Sequence, residues 1–318
     1  MMPTKDNAVT GYAQQILTQV RKAVVGKDQV LLWVLAAILA RGHILLEDIP
    51  GVGKTTMALA FSRVLDLEYS RVQFTPDVLP SDVTGYSIPE PDGSGLRYQP
   101  GAVLCNLFLA DELNRATSRT QSALLEAMEE GQVTVDGVSH TLPQPFVVIA
   151  TQNPTGAAGT SLLPDSQMDR FMIRLSLGYP SPKDEAAMVL NRQGGNPLLT
   201  LSPLMTREDL VKIQDTVEDT FLSDSVVNYI VALVGATRSS PDLLRGASPR
   251  ATLSVTAMAK SVARLRGRDY VTPADVKEVF AHTVAHRLLL SPKAEAQGKL
   301  PEQVLQEILA VTPAPRLR

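Results

Sequence analysis

The chain has 318 residues, of which 44% are hydrophobic, and its formal net charge is −3. This length predicts about two domains with a sizeable core, and the slightly acidic balance gives no general attraction to nucleic acid or to an anionic membrane. The single cysteine, Cys105, excludes an intrachain disulfide and suits a reducing compartment, so we expect a cytoplasmic protein. The longest apolar run, residues 31–40, is too short to span a bilayer, and the N-terminus has no signal-peptide pattern.

Two helices are predicted ahead of the first motif. Apolar residues recur at helical spacing over residues 8–24, and the run at 31–40 predicts a second, mostly buried helix that stops near Gly42. Residues 44–46 then predict a buried strand, and the pattern at 57–61 predicts another helix.

The residues between this strand and this helix predict a phosphate-binding loop. Backbone N–H groups at a helix N-terminus lack an intrahelical partner and bind anions, and glycines without a Cβ let the backbone wrap closely around phosphate. Lys54 is expected to reach the β- and γ-phosphates of a nucleotide, and the Thr55 hydroxyl to bind Mg²⁺. The predicted nucleotide-binding residues of the loop are Pro50, Gly51, Val52, Gly53, Lys54, Thr55 and Thr56. The general pattern has Gly where this chain has Asp48, so only the second half of the motif is intact.

A second motif is a pair of carboxylates after an apolar run. Residues 104–110 predict a buried strand that runs directly into Asp111 and Glu112. Carboxylates are costly at such a place unless a cation is near, and this edge of an α/β sheet is where ligands bind. With the phosphate loop upstream, Asp111 is expected to hold Mg²⁺ through one of its water ligands, and Glu112 to polarise the attacking water. Alone, the pair could also be a solvated strand end that leads into a loop.

The remaining elements of the first half follow from local patterns. Residues 75–101 are rich in Pro and Gly, and we expect a long functional or mobile loop, with a passive surface loop as the alternative. Residues 121–130 predict a helix capped by Thr117 or Ser118, and Asp136-Gly137 predicts a hairpin.

Two more strands are predicted before the chain becomes helical. Residues 146–151 predict a buried strand, after which Asn153 would bind the attacking water or the γ-phosphate, or merely start a turn before Pro154. Residues 171–177 predict the last strand, and everything beyond residue 179 is predicted to be helical.

The sequence Ser248-Pro249-Arg250 predicts the start of one of those helices. Ser248 is expected to be its cap and Pro249 its first residue. An arginine in the first turn opposes the helix dipole, which favours an anionic partner for Arg250. A surface arginine remains the alternative.

These segments resemble the MoxR family of AAA+ ATPases. The matching motifs run in order through nearly the whole chain: LLEDIPGVGKT at 45–55, LADELNR at 109–115, QSALLEAM at 121–128, ATQNP at 150–154, MDRF at 168–171, GASPR at 246–250, GRDYVTP at 267–273 and HRL at 286–288. The acidic residue at position 48 is common in MoxR-like sequences.

The resemblance implies roles for individual residues. Asn153 matches sensor 1, Arg170 matches the arginine finger that completes a neighbouring subunit's site, and Arg250 matches sensor 2, the lid arginine that reads the γ-phosphate. The family contacts adenine at the position of Val24, Val25 and Gly26. Residues 75–101 correspond to the helix-2 insertion, and the Asp136-Gly137 hairpin to the pre-sensor-1 hairpin near the ring's pore.

The resemblance also implies a fold and a function. The expected fold is α/β: an AAA+ P-loop core with a parallel sheet, flanking helices and a β-hairpin insertion at 1–179, then an all-α lid domain at 180–318. The expected function is Mg²⁺-dependent ATP hydrolysis that drives chaperone-like remodelling, maturation or cofactor insertion of a partner protein. The cofactors would be ATP and Mg²⁺. The partners would be further copies in a ring, usually a hexamer, and a protein client. The family commonly pairs with proteins that carry a von Willebrand factor A domain.

Three other functions stay open at this point. The chain could be the ATPase motor of a metal chelatase, which resembles MoxR closely. It could be a nucleic-acid-dependent ATPase, which the acidic balance disfavours. It could also be a nucleotide-gated scaffold without turnover, against which the presence of Lys54, Asp111 and Glu112 argues.

Overall fold

The computed structural model describes residues 5–92, 95–153 and 162–316, with the side chains of residues 5–8 left out. Pro154 of the ATQNP motif and residues 93 and 94 of the segment 75–101 lie outside the described residues. The described helices are α1 (Lys5–Ala23), α2 (Asp28–Leu39), α3 (Lys54–Val64), α4 (Pro80–Thr84), α5 (Ser118–Glu130), α6 (Asp165–Met168), α7 (Pro182–Gln193), α8 (Arg207–Glu218), α9 (Asp224–Ser239), α10 (Pro249–Leu265), α11 (Pro273–Val284), α12 (Pro292–Ala296) and α13 (Pro301–Val311). Within these ranges, no helix is both long enough and apolar enough to cross a membrane.

The central feature is a five-stranded parallel sheet. The described strands are β1 (Ile44–Glu47), β2 (Tyr69–Gln73), β3 (Gly85–Pro89), β4 (Leu96–Pro100), β5 (Leu107–Asp111), β6 (Gln132–Val135), β7 (Val138–Thr141), β8 (Val147–Gln152), β9 (Ile173–Leu175), β10 (Leu243–Arg245) and β11 (Leu289–Leu290). The strand order in the sheet is β2-β5-β8-β1-β9, and each neighbouring pair is parallel. The residues that follow β1, β5 and β8 therefore meet at one edge of the sheet.

Side chains alternate between the two faces of the sheet, and each face has its own core. Leu45, Phe108 and Ala150 pack with α5 on one face. Their neighbours Leu46, Leu109 and Ile149 belong to the cluster that also contains buried residues of α1–α3 and of the helices after residue 179. Burial of both faces explains why these strands are nearly continuous apolar runs. The α/β fold with a parallel sheet, flanking helices and a helical C-terminal part is confirmed.

Two expectations about secondary structure are wrong. The segment 75–101 is not an irregular loop, because it contains α4 and the antiparallel hairpin β3–β4. Gly85, at a φ of 93°, marks the start of this hairpin, where a Cβ would come within 2.4 Å of the Gln99 carbonyl oxygen. Beyond residue 179, β10 and β11 form a short antiparallel pair. These strands are two or three residues long, too short for an alternating pattern to reveal them.

The hairpin β3–β4 contacts the predicted hairpin β6–β7. The latter turns at Asp136 and Gly137, which both have positive φ, as the Asp-Gly pattern predicts. The rings of Tyr98 and His140 stack with centroids 3.7 Å apart and an interplanar angle of 12°. This ring stacking is a direct side-chain contact between the two hairpins.

Candidate nucleotide-binding site

The phosphate loop lies between β1 and α3, at the edge where the parallel strands end. Gly51 and Gly53 have φ values of 86° and 99°, a region of backbone conformation that favours glycine. A Cβ on either would find no atom within 4 Å, so the space beside the loop is open. α3 begins at Lys54, and its first N–H groups face this space without an intrahelical acceptor. The loop thus has the form of an anion site.

Lys54 points back into its own loop. Its Nζ donates to the carbonyl oxygens of Asp48 and Ile49 at 2.9 and 3.2 Å. Burial lowers the pKa of Lys54, while the nearby negative charges of Asp48, Asp111 and Glu112 oppose that shift. A partly desolvated ammonium next to open space is suited to binding phosphate oxygens.

Asp111 is held by two side chains that the sequence analysis did not single out. Thr151 Oγ1 donates to Asp111 Oδ1 at 2.7 Å, and Arg71 Nη2 donates to Asp111 Oδ2 at 2.7 Å. Arg71 also donates to Gln73 Oε1 at 2.9 Å. Thr151 could have been found from the sequence, because it is a threonine in an apolar strand, two residues before Asn153. No sequence signal marked Arg71.

Glu112 sits at a strained turn directly after β5. Its φ of 56° lies in the left-handed region, where non-glycine residues are uncommon and cluster at functional sites. Its N–H donates to Thr151 Oγ1 at 2.8 Å, and its carboxylate pairs with Arg115 at 2.7 Å. Thr151 therefore fixes the backbone of Glu112 and the carboxylate of Asp111 together.

The structure brings most of the predicted site residues to one place. A cavity at the carboxyl edge of the sheet is lined by the loop and by the polar residues after β5 and β8: Pro50, Gly51, Gly53, Lys54, Thr55, Thr56, Arg71, Gln73, Asp111, Glu112 and Asn153. The predicted sensor residue Asn153 thus shares a cavity with Lys54 and both carboxylates.

A second, more apolar cavity lies beside the loop. It is lined by Val24 and Val25 of the predicted adenine segment together with Val52, Gly53 and Thr56 of the loop. Met188 of α7 also lines it, although no local pattern marked α7 for this role. Gly26 is not in the lining. A Cβ there would lie 2.2 Å from the Asp184 carboxyl group, so Gly26 allows α7 to pack closely.

Arg170 and Arg250 lie away from both cavities, at the opposite edge of the sheet, where the parallel strands begin. Arg170 precedes β9, and its Nε donates to Glu129 Oε2 at 3.0 Å. Arg250 binds the other oxygen of the same carboxylate. His43, which precedes β1, lines the same surface cavity. β1 is four residues long, so its two ends are about 13 Å apart. Within one chain these arginines are therefore remote from the phosphate loop.

The lid residues around Arg250 are bonded to the segment that carries Arg170. The Asp169 carboxylate accepts from Ser248 Oγ at 2.8 and 2.9 Å and from Arg287 Nη1 at 2.8 Å. Arg287 is buried and also donates to the Phe171 carbonyl at 2.7 Å. Ser248 is the N-cap residue of α10, as expected, but its side chain makes no capping hydrogen bond, because its hydroxyl donates to Asp169 instead. Sequence reasoning missed Glu129, Asp169 and Arg287, whose partners are distant in the chain.

The comparisons with known proteins agree with this geometry. A family model described as the ATPase family associated with various cellular activities (AAA) matches residues 43–173, and a model of the AAA lid domain matches residues 235–308. The chain is thus an AAA protein with a lid.

Individual relatives narrow the class. The chain is 39% identical to the chaperone MoxR1 of Mycobacterium tuberculosis, over 96% of this chain and 82% of that protein. It is 43% identical to the protein YeaC of Bacillus subtilis, over 93% and 92% of the two chains. A crystal structure from Cytophaga hutchinsonii is similar with a TM-score of 0.91 at 35% identity, covering 98% of this chain and 97% of that one. The chain belongs to the MoxR family of AAA+ ATPases.

Proposed function

We propose that this protein hydrolyses ATP with Mg²⁺ at sites shared between neighbouring copies, and uses the cycle to remodel a client protein. The observation that carries the proposal is the division of the predicted site residues between two edges of one sheet. Lys54, Asp111, Glu112 and Asn153 meet at one edge, and Arg170 and Arg250 meet at the other.

The residues of the cavity suit a magnesium nucleotide. The open space beside Gly51 and Gly53, the N-terminus of α3 and the Lys54 ammonium match a chain of phosphates. Thr55 and Asp111 offer the hard oxygen ligands that Mg²⁺ prefers, and Mg²⁺ would neutralise charge on the phosphate oxygens. The apolar cavity at Val24 and Val25 suits a purine base.

The chain's own residues would then do the following. The Glu112 carboxylate orients the attacking water and takes up its proton, and Asn153 donates a hydrogen bond at the same place. Lys54 transfers its hydrogen bonds from the carbonyls of Asp48 and Ile49 to phosphate oxygens. Since phosphoryl transfer needs little covalent help, positioning and charge stabilisation account for the rate.

Arg170 and Arg250 would serve the site of the next copy. Arginine suits this because its planar, permanently charged fork matches phosphate oxygens. Within one chain, Glu129 supplies the negative charge that both arginines bind. In an assembly, the γ-phosphate of the neighbour would take the place of Glu129. Such contacts are head-to-tail, and closing them gives a ring, for which we propose a hexamer.

The client is proposed to be a protein in the cytoplasm. The relative that shares 39% identity is named a chaperone, and the acidic balance of this chain disfavours nucleic acid. A client or cofactor-insertion partner with a von Willebrand factor A domain is part of this proposal, as the family resemblance suggests.

The shared site is tested by mixing two inactive variants. Lys54→Ala removes phosphate binding and Arg170→Ala removes the contribution to the neighbour, so each alone should have little ATPase activity. A one-to-one mixture should recover up to about a quarter of wild-type activity, because about one interface in four pairs an intact Lys54 with an intact Arg170.

The matched control replaces one partner by the double variant Lys54→Ala/Arg170→Ala, which should rescue neither single variant. Co-assembly of the variants is verified by chemical cross-linking. Co-assembled mixtures that stay inactive at every ratio would exclude a site shared in this way.

A further inference from the structure

The segment 176–179 connects the sheet to the helices that follow it. It leaves β9 at Leu175 and reaches α7 at Pro182. Every covalent path from the phosphate loop to α7 and the later helices passes through it. Any change of angle between these parts must therefore involve this segment.

One side of the segment is bound by Asp48. The carboxylate, in a residue only 6% exposed, accepts hydrogen bonds from the Ser176 hydroxyl at 3.1 Å, from the Gly178 N–H at 3.1 Å and from the Leu177 N–H. A buried carboxylate with three donors is well satisfied, and such charge-assisted bonds are stronger than neutral ones. The residue that departs from the general phosphate-loop pattern thus has a specific structural partner.

The other side of the segment is bound by Lys27. Its Nζ donates to the carbonyl oxygens of Leu177, Gly178 and Tyr179 at 2.6, 3.1 and 2.9 Å. Lys27 itself lines the apolar cavity, as does Val25 two residues earlier. Gly178 has a φ of 60°, which lets consecutive N–H and carbonyl groups face opposite partners. The segment is held between the Asp48 carboxylate, which precedes the phosphate loop, and the Lys27 ammonium, which directly follows the predicted adenine segment at residues 24–26.

Asp48 is also bonded to Lys54. The Asp48 carbonyl oxygen accepts from Lys54 Nζ at 2.9 Å, while the carboxylate of the same residue holds the segment. When Lys54 turns to a phosphate, the Asp48 carbonyl oxygen loses its hydrogen bond from Lys54 Nζ, while the Asp48 carboxylate still binds the segment. Asp48 therefore connects the phosphate loop to the segment 176–179, which leads into α7.

We propose that Asp48 and Lys27 are positioning residues that couple occupation of the nucleotide cavity to the placement of α7 and the lid helices. The coupling rests on the proposed function, because it needs a nucleotide to bind at the loop. It goes beyond that function because it names the residues that would pass the effect of nucleotide binding to α7. These are Asp48, a carboxylate that the general motif lacks, and Lys27, which lies outside the motif.

The experiment compares full-length variants. Asp48→Gly restores the general pattern and removes the carboxylate, Asp48→Asn keeps an acceptor but removes the charge, and Lys27→Met removes the cation on the other side. Asp28→Asn is the control, because Asp28 forms an exposed ion pair with Arg21 in the same region.

The first readout is amide hydrogen exchange of residues 176–193 with and without the magnesium complex of ATPγS. In the wild type and in Asp28→Asn, nucleotide should change exchange in this stretch. In Asp48→Gly and Lys27→Met this response should be lost at nucleotide concentrations that saturate each variant, as measured with a fluorescent ATP analogue. In Asp48→Gly the analogue should still bind within about threefold of wild-type affinity. Asp48→Asn should be intermediate.

The second readout is the steady-state rate. Asp48→Gly should lower kcat about tenfold, the size of a typical coupling between sites, with little change in KM. A full exchange response to nucleotide in both Asp48→Gly and Lys27→Met would overturn the proposal. So would parallel loss of affinity and response in Asp48→Gly and Asp48→Asn, which indicates a purely structural role. A wild-type protein that binds no nucleotide would instead refute the proposed function.

Discussion

Thr151 donates a hydrogen bond of 2.7 Å to Asp111 Oδ1, from the neighbouring strand of the sheet. The same hydroxyl accepts from the Glu112 N–H at 2.8 Å. Because Thr151 is fully buried, neither bond competes with water. A single hydroxyl therefore sets the position of the two carboxylate residues proposed to act on the metal and on the water.

Thr151→Val tests this positioning role. Valine keeps the shape of threonine but leaves the Asp111 carboxylate and the Glu112 N–H without this partner. We expect kcat to fall by about tenfold to a hundredfold, since an unmade buried hydrogen bond costs about 1–3 kcal/mol, while ATP affinity changes little. Steady-state kinetics and equilibrium nucleotide binding measure the two quantities. Thr151→Ser keeps the hydroxyl and should retain most of the rate; equal kcat in the valine variant and the wild type would contradict the role.

Glu112→Gln tests the proposed base. The amide cannot take up a proton, so we expect hydrolysis to slow by about two to four orders of magnitude, with ATP binding retained. Single-turnover hydrolysis of labelled ATP checks the rate. Glu130→Gln, an exposed carboxylate on α5, is the control and should behave as the wild type. Wild-type turnover in Glu112→Gln would remove Glu112 from this role.

Arg287→Met tests the bond between the lid and the Arg170 segment. The Arg287 side chain is 2% exposed and pairs with Asp169 at 2.8 Å. Removing the Arg287 cation takes away the opposite charge of this pair and leaves the Asp169 carboxylate with the Ser248 hydroxyl, so we expect the free energy of unfolding to fall by about 3–5 kcal/mol. Chemical denaturation measures the change. Arg21→Met removes an exposed pair and should change stability by less than about 1 kcal/mol; a similar small effect in Arg287→Met would refute the prediction.

His43 predicts a pH dependence of stability. Its Nδ1 accepts from the Val148 N–H at 3.0 Å, so its Nε2 donates to the Met128 carbonyl at 3.1 Å. Burial lowers the pKa of His43 from 6.5 to about 4. The unfolded chain therefore binds more protons than the folded chain between these values, and stability falls as the pH falls through this window.

The size of this effect follows from the shift. Between pH 7 and pH 5, His43 should account for about 2 kcal/mol of lost stability. His43→Asn keeps an acceptor for Val148 but does not titrate, so its loss over the same range should be smaller by that amount. Urea unfolding followed by circular dichroism at both pH values checks this. Equal pH dependence in the two proteins would contradict the low pKa.

The elements around the phosphate loop could be predicted because their signals are local. An apolar run, a turn with Gly51 and Gly53, and Lys54 at the start of a helical pattern lie within a few residues of one another. The same is true of Asp111 and Glu112 after their strand. Parallel strands then bring these separate signals to one edge of the sheet, as the general rule for α/β folds predicts.

The contacts between distant parts of the chain could not be predicted in this way. Glu129 lies 41 positions before Arg170 and 121 before Arg250, and Asp48 lies 129 positions before Leu177. No periodicity links such pairs, because their proximity depends on how the whole fold packs. The hairpin β3–β4 was missed for another reason, since its mostly exposed residues give no apolar alternation.

The phosphate loop and the arginine pair lie at opposite edges of one sheet. Every copy therefore has two different faces, one with the loop and one with the arginines. If the pair serves the next copy, two copies related by a two-fold axis bring like surfaces together, and the sites cannot complete each other. An open row always has one terminal member whose loop receives no arginines and another whose arginines meet no nucleotide. Only a closed ring gives every loop a pair of arginines and every pair of arginines a nucleotide site.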